Sequence, residues 1–227
     1  MSFTYDYPRP MVTADIYLLR KAEDALQLLL IQRQNEPFRR QWALPGGFIE
    51  IEEKLMTSAL RELREETGLK DLPLRPLLSA GDPGRDPRGR TITIVYAGIP
   101  APPFPRAVAG DDAGKARWFN LQQLPELAFD HAQICRSALE EIRFRAIWQL
   151  WLLMFLPETF TMETVLQTLS LMQIAPAMAD PLLQVASAAG LIQKIENQDY
   201  LKIKDNNQIF SHTPAEISRF WTEKITG

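Results

Sequence analysis

The pattern of apolar and polar positions changes character along the chain. Met11 to Leu19 (MVTADIYLL) and Leu26 to Arg33 (LQLLLIQR) are strand-like runs, with Lys21 to Ala25 as the turn between them. Leu28 to Ile31 is apolar at every position, as expected of a strand covered on both faces. Leu44-Pro45-Gly46-Gly47 breaks the run. Lys54 to Thr67 then has helix-forming residues without Gly or Pro, and Gly68 stands where a left-handed glycine ends a helix. Thr91 to Ala97 is β-branched and predicts a strand. Trp118-Phe119 precedes Asn120, and Leu121 to Leu127 predicts a short helix or turn. Strands and helices interleave, which predicts a layered α/β domain.

The second part of the chain is mostly helical. Ser137 to Phe155 has helix length, with Pro157 ending it. Thr161 to Met172 predicts a second helix with Thr161 as its N-cap, and Ala177 to Ala189 a third, ended by Gly190. Leu191 to Glu196 and Tyr200 to Ile203 flank Asn197-Gln198-Asp199 as a hairpin. Thr213-Pro214-Ala215-Glu216 combines a capping box with proline at the first helical position, and opens a last helix. Three helices followed by a hairpin is the winged-helix order. Trp148, Trp151, Leu152 and Phe155 form an apolar stripe expected to pack in a core.

Charge sharpens the division. Residues 1–139 carry 18 basic and 18 acidic residues, whereas residues 140–227 carry 7 and 10. Gly and Pro are dense between Pro73 and Pro105, and nothing comparable follows Pro181. Two domains are therefore expected, 1–139 and 140–227. The whole chain has 227 residues, 46% hydrophobic and 23% charged, with net charge −3. That balance argues against a strongly basic nucleic-acid protein. Cys135 is the only cysteine, which excludes a disulfide framework or a cysteine-rich zinc site. The longest apolar stretch, Ile147 to Leu156, is too short for a bilayer, which needs about 20 residues, so no membrane association is expected. The start MSFTYDYPRPM lacks a signal-peptide pattern, so a cytoplasmic location is expected.

Chemistry concentrates between Gly47 and Leu69, GFIEIEEKLMTSALRELREETGL. On a helix, Glu62, Glu65 and Glu66 share a face and repel one another unless a cation compensates them. Hard oxygen donors at that density suit Mg²⁺ or Mn²⁺. Arg61 lies four residues before Glu65 and can orient a carboxylate. Gly46-Gly47 leaves bare backbone where a carbonyl can approach a metal. Downstream, Gly81 to Arg90 (GDPGRDPRGR) places Arg85, Arg88 and Arg90 within ten residues, either as a guanidinium clamp on phosphates or as a polar turn. Asp111 or Asp112 can be a late acid on a loop or a capped turn, and His131 beside Asp130 a substrate contact or a structural histidine. Cys135, in an amphipathic pattern, is expected to be buried.

Written as a pattern, the acidic segment is G-x5-E-x7-R-E-U-x-E-E-x-G-U, with U apolar, filled by Gly47, Glu53, Arg61, Glu62, Leu63, Glu65, Glu66, Gly68 and Leu69. It resembles the Nudix box without a departure. The resemblance implies an α/β/α sandwich enzyme that hydrolyses a nucleoside diphosphate linked to another moiety. It implies metal binding by Glu62, Glu65 and Glu66 with the carbonyl of Gly46 or Gly47. It also implies water activation by Glu65 or Glu66, with Glu53 as a further ligand or support and Arg61 as orienting partner. Glu50 and Glu52 fit no fixed place. Pro8-Arg9-Pro10, GDPGRDPRGRTITIVY, AGDDAGKARWF and LAFDHAQI extend the resemblance over residues 8–140. They point to the branch holding ADP-ribose pyrophosphatases, the Nudix half of bifunctional NAD-synthesis enzymes, and Nudix-related transcriptional regulators of NAD metabolism.

The fold class implied is α/β (α+β): a Nudix sandwich followed by a winged-helix-like domain. The activity implied is ADP-ribose plus water giving AMP and ribose 5-phosphate, with a homodimer expected from the branch. The alternative is an ADP-ribose-responsive regulator that binds DNA through the winged helix. DNA binding is disfavoured because Ala177 to Ala189 contains no Lys or Arg, and the hairpin offers only Lys194, Lys202 and Lys204. A third possibility is an enzyme whose winged helix only dimerises.

Overall fold

The computed structural model describes residues 6–22, 24–101, 113–195 and 199–225. Strand β1 (Met11–Ala22) organises the first part. Its first eight residues run parallel to β6 (Thr91–Gly98), from Met11 opposite Thr91 to Leu18 opposite Gly98. Its last four pair antiparallel with β2 (Ala25–Arg33), from Leu19 opposite Leu28 to Ala22 opposite Ala25. One strand thus serves both halves of a mixed sheet. Short β3 (Trp42–Ala43) joins β2, β4 (Gly46–Phe48) joins β1, β5 (Arg75–Ala80) joins β6, and β7 (Ala113–Asn120) joins β2. Because successive side chains leave opposite faces, Ala14, Ile16 and Leu18 meet Ala59 and Leu63 of helix α1 (Leu55–Thr67). Tyr17 and Leu19 instead join Ile134, Ala138 and Ile142 of helix α2 (His131–Trp148). The sheet is covered on both sides, which explains the unbroken apolar run at Leu28 to Ile31.

Helix α1 has no side-chain bond at its N-cap, Lys54. A cap contributes about 1 kcal/mol, and full burial of Leu63 alone contributes about 2 kcal/mol. Packing therefore holds the helix. Gly68 ends it at φ 70°.

The expected helix over Ser137 to Phe155 is corrected on both ends. It begins at His131, and it stops when Leu150 takes φ 59°, a left-handed residue that turns the chain. Trp151 to Phe155 then forms a 3-10 turn in which all five side chains are buried. Trp148 is 40% exposed rather than part of that core, and makes tilted ring contacts with exposed Phe144 and buried Trp221. The expected boundary at residue 139 falls inside α2, and one apolar cluster runs from Tyr17 to Trp221 across it.

The remaining elements follow the expected order. Two-residue β8 (Thr159–Phe160) precedes α3 (Met162–Leu171), where the Thr161 hydroxyl accepts the Thr164 amide at 3.2 Å. Helix α4 (Ala179–Ala188) carries Pro181 in its first turn, where no helical bond is lost. Strands β9 (Ile192–Lys194) and β10 (Tyr200–Lys202) form the hairpin, and β8 joins it as a third strand. Helix α5 (Asn206–Ser211), with a full capping box at Asp205, carried no expectation, and α6 (Pro214–Ile225) follows Thr213. Three polar contacts fasten this part to the sheet: Arg75 Nε to Phe210 O, Asn206 Nδ2 to Ile99 O, and Lys21 Nζ to Thr168 Oγ1, at 3.2, 3.2 and 3.0 Å. Among the described residues, no helix is long and apolar enough to cross a membrane.

Candidate functional site

The acidic segment folds around Arg61. Its Nε and Nη2 donate to Glu53 at 3.0 and 2.9 Å, and its Nη1 donates to Glu62 at 2.7 Å and Glu65 at 3.1 Å. Nη2 also reaches Phe48 O at 3.1 Å. One guanidinium thus gathers three of the box carboxylates and ties them to β4. Strand β4 is pressed against β1 and α1. A Cβ on Gly47 would collide with the Glu62 carboxylate, and one on Gly46, at φ 155°, would collide with the Ala14 carbonyl. Only glycine lets the backbone run this close to the glutamates. The Gly46 amide donates to Glu66 Oε2 at 2.8 Å.

The charges are unevenly matched. Arg61 holds the Glu53 carboxyl below its usual range. Burial pushes Glu62 up, with Glu65 and Glu53 adding repulsion against the pull of Arg61. Glu66 is pushed up to about 8, chiefly by burial, with Glu62 and Asp15 adding to the rise. Among the described residues, no three ligating side chains converge on one point. The donors are nonetheless all hard oxygens, and Glu66 is a buried carboxyl with no ion-pair partner, whose ionised form a cation would stabilise. That combination fits a divalent cation.

Next to the helix lies a cleft of about 100 Å³ lined by Asp15, Arg33, Gly46, Gly47, Glu66 and Arg88, among others. Arg85, Phe129 and His131 also reach it. A wider hollow of about 370 Å³ between the β1–β2 turn and α2 holds none of the box carboxylates.

The arginines singled out in the sequence are not a free trio. Arg85 makes two bonds of 2.8 Å to Asp130, and Arg88 lies 2.7 Å from Asp86, which is itself buried. Arg90 donates to the Gly81 carbonyl and does not line the cleft. His131 is buried, and its Nδ1 accepts the Leu44 amide at 3.0 Å. That bond leaves the ring proton on Nε2, 3.9 Å from Asp15 Oδ2. Burial pulls its pKa down, so the ring is neutral. Asp111 and Asp112 lie outside the described residues. Cys135 is buried, and burial pushes its thiol up to about 12.

Two cleft residues were missed. Asp15 accepts the Thr93 hydroxyl at 2.6 Å, and its signal was a lone acid inside the apolar run of β1. Arg33 ends β2 and carried no distinguishing signal.

The NUDIX domain profile matches residues 9–140. The chain is 42% identical over 133 residues to the ADP-ribose pyrophosphatase of Methanocaldococcus jannaschii, covering 58% of this chain and 74% of that one. It is 34% identical over 162 residues to the ADPR responsive transcriptional repressor NtrR of Acinetobacter baylyi, covering 69% of this chain. The match spans 64% of the repressor's length. Among solved structures, Shewanella oneidensis NrtR superposes with a TM-score of 0.71 at 26% identity, over 87% of this chain and 95% of that one. That protein has also been solved with a 27mer DNA, and its NUDIX domain with ADP ribose. The chain therefore belongs to the Nudix hydrolase family, with an additional C-terminal part as in NrtR.

Proposed function

We propose that the protein hydrolyses ADP-ribose to AMP and ribose 5-phosphate. The observation that carries this reading is the Arg61 hub, which holds Glu53, Glu62 and Glu65 in place beside the glycine turn. The likeness to an ADP-ribose pyrophosphatase supports the substrate. Glu62, Glu65 and Glu66, with the carbonyl of Gly46 or Gly47, would hold Mg²⁺ or Mn²⁺. Such an ion neutralises the diphosphate and lowers the pKa of a water.

The chain's own residues do the rest. Glu65 or Glu66 accepts a proton from the attacking water. Its oxygen bonds one phosphorus, and the bridging P–O bond breaks to release the two monophosphates. Arg61 keeps Glu62 and Glu65 oriented, and Glu53 keeps Arg61 from swinging away. Arg85, Arg88 and His131 build the wall of the cleft. Arg90 is a candidate for substrate contact outside that wall, and Asp112 is a candidate that lies outside the described residues. In this reading, residues 1–139 are the catalytic unit, and residues 140–227 are a winged-helix-like unit docked on it. The protein is a cytoplasmic homodimer.

A regulator is the second reading, favoured by the fit to NrtR over both parts of the chain. Against it stands the outer face of α4, which presents Asp180, Gln184 and Ser187 and no cation. DNA phosphates need cations there. The test is product analysis with Mg²⁺ on ADP-ribose, NAD and diadenosine polyphosphates, beside a mobility shift with upstream DNA. AMP release from ADP-ribose with no shift supports the enzyme. A specific shift relieved by ADP-ribose, without turnover, overturns it.

A further inference from the structure

The hollow between the β1–β2 turn and α2 is separate from the cleft. Its volume is about 370 Å³, within the range of small-molecule sites, and it lies where the two parts of the chain meet. One wall is the β1–β2 turn, a second is the 3-10 turn that follows β7, a third is a face of α2, and the end of α3 closes it. Leu26, Leu121, Leu139 and Leu171 give it an apolar lining, and all but Leu139 belong to the main core or pack against it.

Two guanidinium groups border that lining. Arg136 and Arg143, seven residues apart, share one face of α2. Neutral acceptors alone hold Arg143: its Nε donates to Met172 O at 2.6 Å and its Nη2 to Gln173 Oε1 at 2.7 Å. The acceptors are fixed in turn, because Gln173 takes φ 56° and its amide donates to Ser170 O at 2.9 Å. Among the described residues, Arg143 Nη1 and the Arg136 guanidinium have no hydrogen-bond partner, and no carboxylate lies within ion-pair distance of either residue. A donor fork already set in place, with one nitrogen unengaged and its charge unanswered, is prepared for an anion.

The walls also limit which anion. Exposed Asp24 and Glu140 line the hollow too, so its charged side chains are two cations and two acids. A phosphate ester brings about two negative charges toward those acids, and a carboxylate brings one. The two oxygens of a carboxylate also match guanidinium geometry, and the leucines ask for an apolar remainder.

We infer that this hollow binds a small organic acid. Its carboxylate accepts from Arg143 Nη1 and from Arg136, and its apolar body lies on the leucines. The bound acid touches both parts of the chain, and nothing in this assignment depends on the reading of the cleft.

The test titrates naphthoate, a flat apolar carboxylate, into the full chain by calorimetry. Its uncharged isostere naphthamide is the control for the carboxylate, and AMP is the competitor. We expect saturable binding of naphthoate and affinity for naphthamide about tenfold weaker or less. Arg143→Gln should weaken naphthoate about tenfold. Arg143 also clasps the end of α3, so Arg136→Gln, which removes no hydrogen bond among the described residues, is measured beside it. That variant should weaken naphthoate about threefold or more and leave both naphthamide affinity and turnover of ADP-ribose within about twofold of wild type. No saturable binding of naphthoate overturns the inference. So does equal affinity for the acid and the amide, or naphthoate binding that neither variant changes. Displacement of naphthoate by AMP would move the binding to the cleft or make the hollow a nucleotide site, and overturns the assignment either way.

Discussion

The amide of Gly46 donates to Glu66 Oε2 at 2.8 Å, joining β4 to the last turn of α1 across 20 residues of sequence. The bond holds in place a carboxylate whose burial and acidic neighbours disfavour its charge. Glu66→Gln should keep this contact, since the amide oxygen accepts the same bond. It removes only the capacity to ionise. Turnover should fall roughly 10²-fold or more, with the thermal midpoint nearly unchanged. Glu65→Gln should behave alike, since Glu65 is 43% exposed and supports little of the fold. Near-wild-type rates in both variants would remove these glutamates from the chemistry.

The two glycines before the box separate fold from function. At Gly47 an added Cβ meets the far end of the Glu62 side chain, which can move. Gly47→Ala should therefore displace Glu62 and cut activity at least tenfold while the chain still folds. At Gly46 the added Cβ meets the Ala14 carbonyl and the Asp15 backbone, and φ 155° is closed to alanine. Gly46→Ala should cost about 3 kcal/mol or more in stability, by the sum of strain and overpacking. Urea unfolding of the two variants checks the order, and equal stabilities would contradict it.

Arg61 joins three carboxylates through a fork that lysine cannot reproduce. Arg61→Lys keeps the charge and loses the simultaneous contacts with Glu53, Glu62 and Glu65. We expect kcat to fall more than tenfold and Mn²⁺ binding to weaken, because the glutamates lose their common orientation. Titration of Mn²⁺ against the variant is the direct check. An affinity equal to wild type would mean that Arg61 positions nothing the metal uses.

These sites differ in how far they could be read in advance. The spacing of Glu62, Glu65 and Glu66 is a local property of one helix, so periodicity alone exposes it. So are the caps at Thr161 and Gly68. The pairing of Arg85 with Asp130 spans 45 residues, and that of Arg88 with Asp86 spans two, yet neither follows from the run of arginines itself. A cluster of cations suggests a phosphate clamp until the fold brings acids to it. Arg33 is the reverse case, an ordinary residue at the end of a strand that only the fold brings to the cleft. The left-handed turn at Leu150 also escaped local patterning, because leucine carries no turn signal. Tertiary packing of Trp151 to Phe155 imposes it.

His131 supplies a pH dependence that belongs to the fold. The ring is buried and neutral, with Nδ1 committed to the Leu44 amide. Burial lowers its folded pKa below the ordinary 6.5, so below that pH the unfolded chain takes up a proton that the folded chain refuses. The stability His131 contributes is thus present above about pH 6.5 and is lost as the pH falls toward the folded value. Glu62 and Glu66 act in the opposite sense, since their raised pKa values let the folded state bind protons first. The His131 part is therefore isolated by difference. His131→Gln can still accept the Leu44 amide through its carbonyl oxygen but does not titrate. Urea unfolding of both proteins at pH 7.5 and 5.5 should show the wild type losing more stability than the variant across that interval. Identical losses would show that His131 is protonated in the folded state, with Asp15 taking the charge across 3.9 Å.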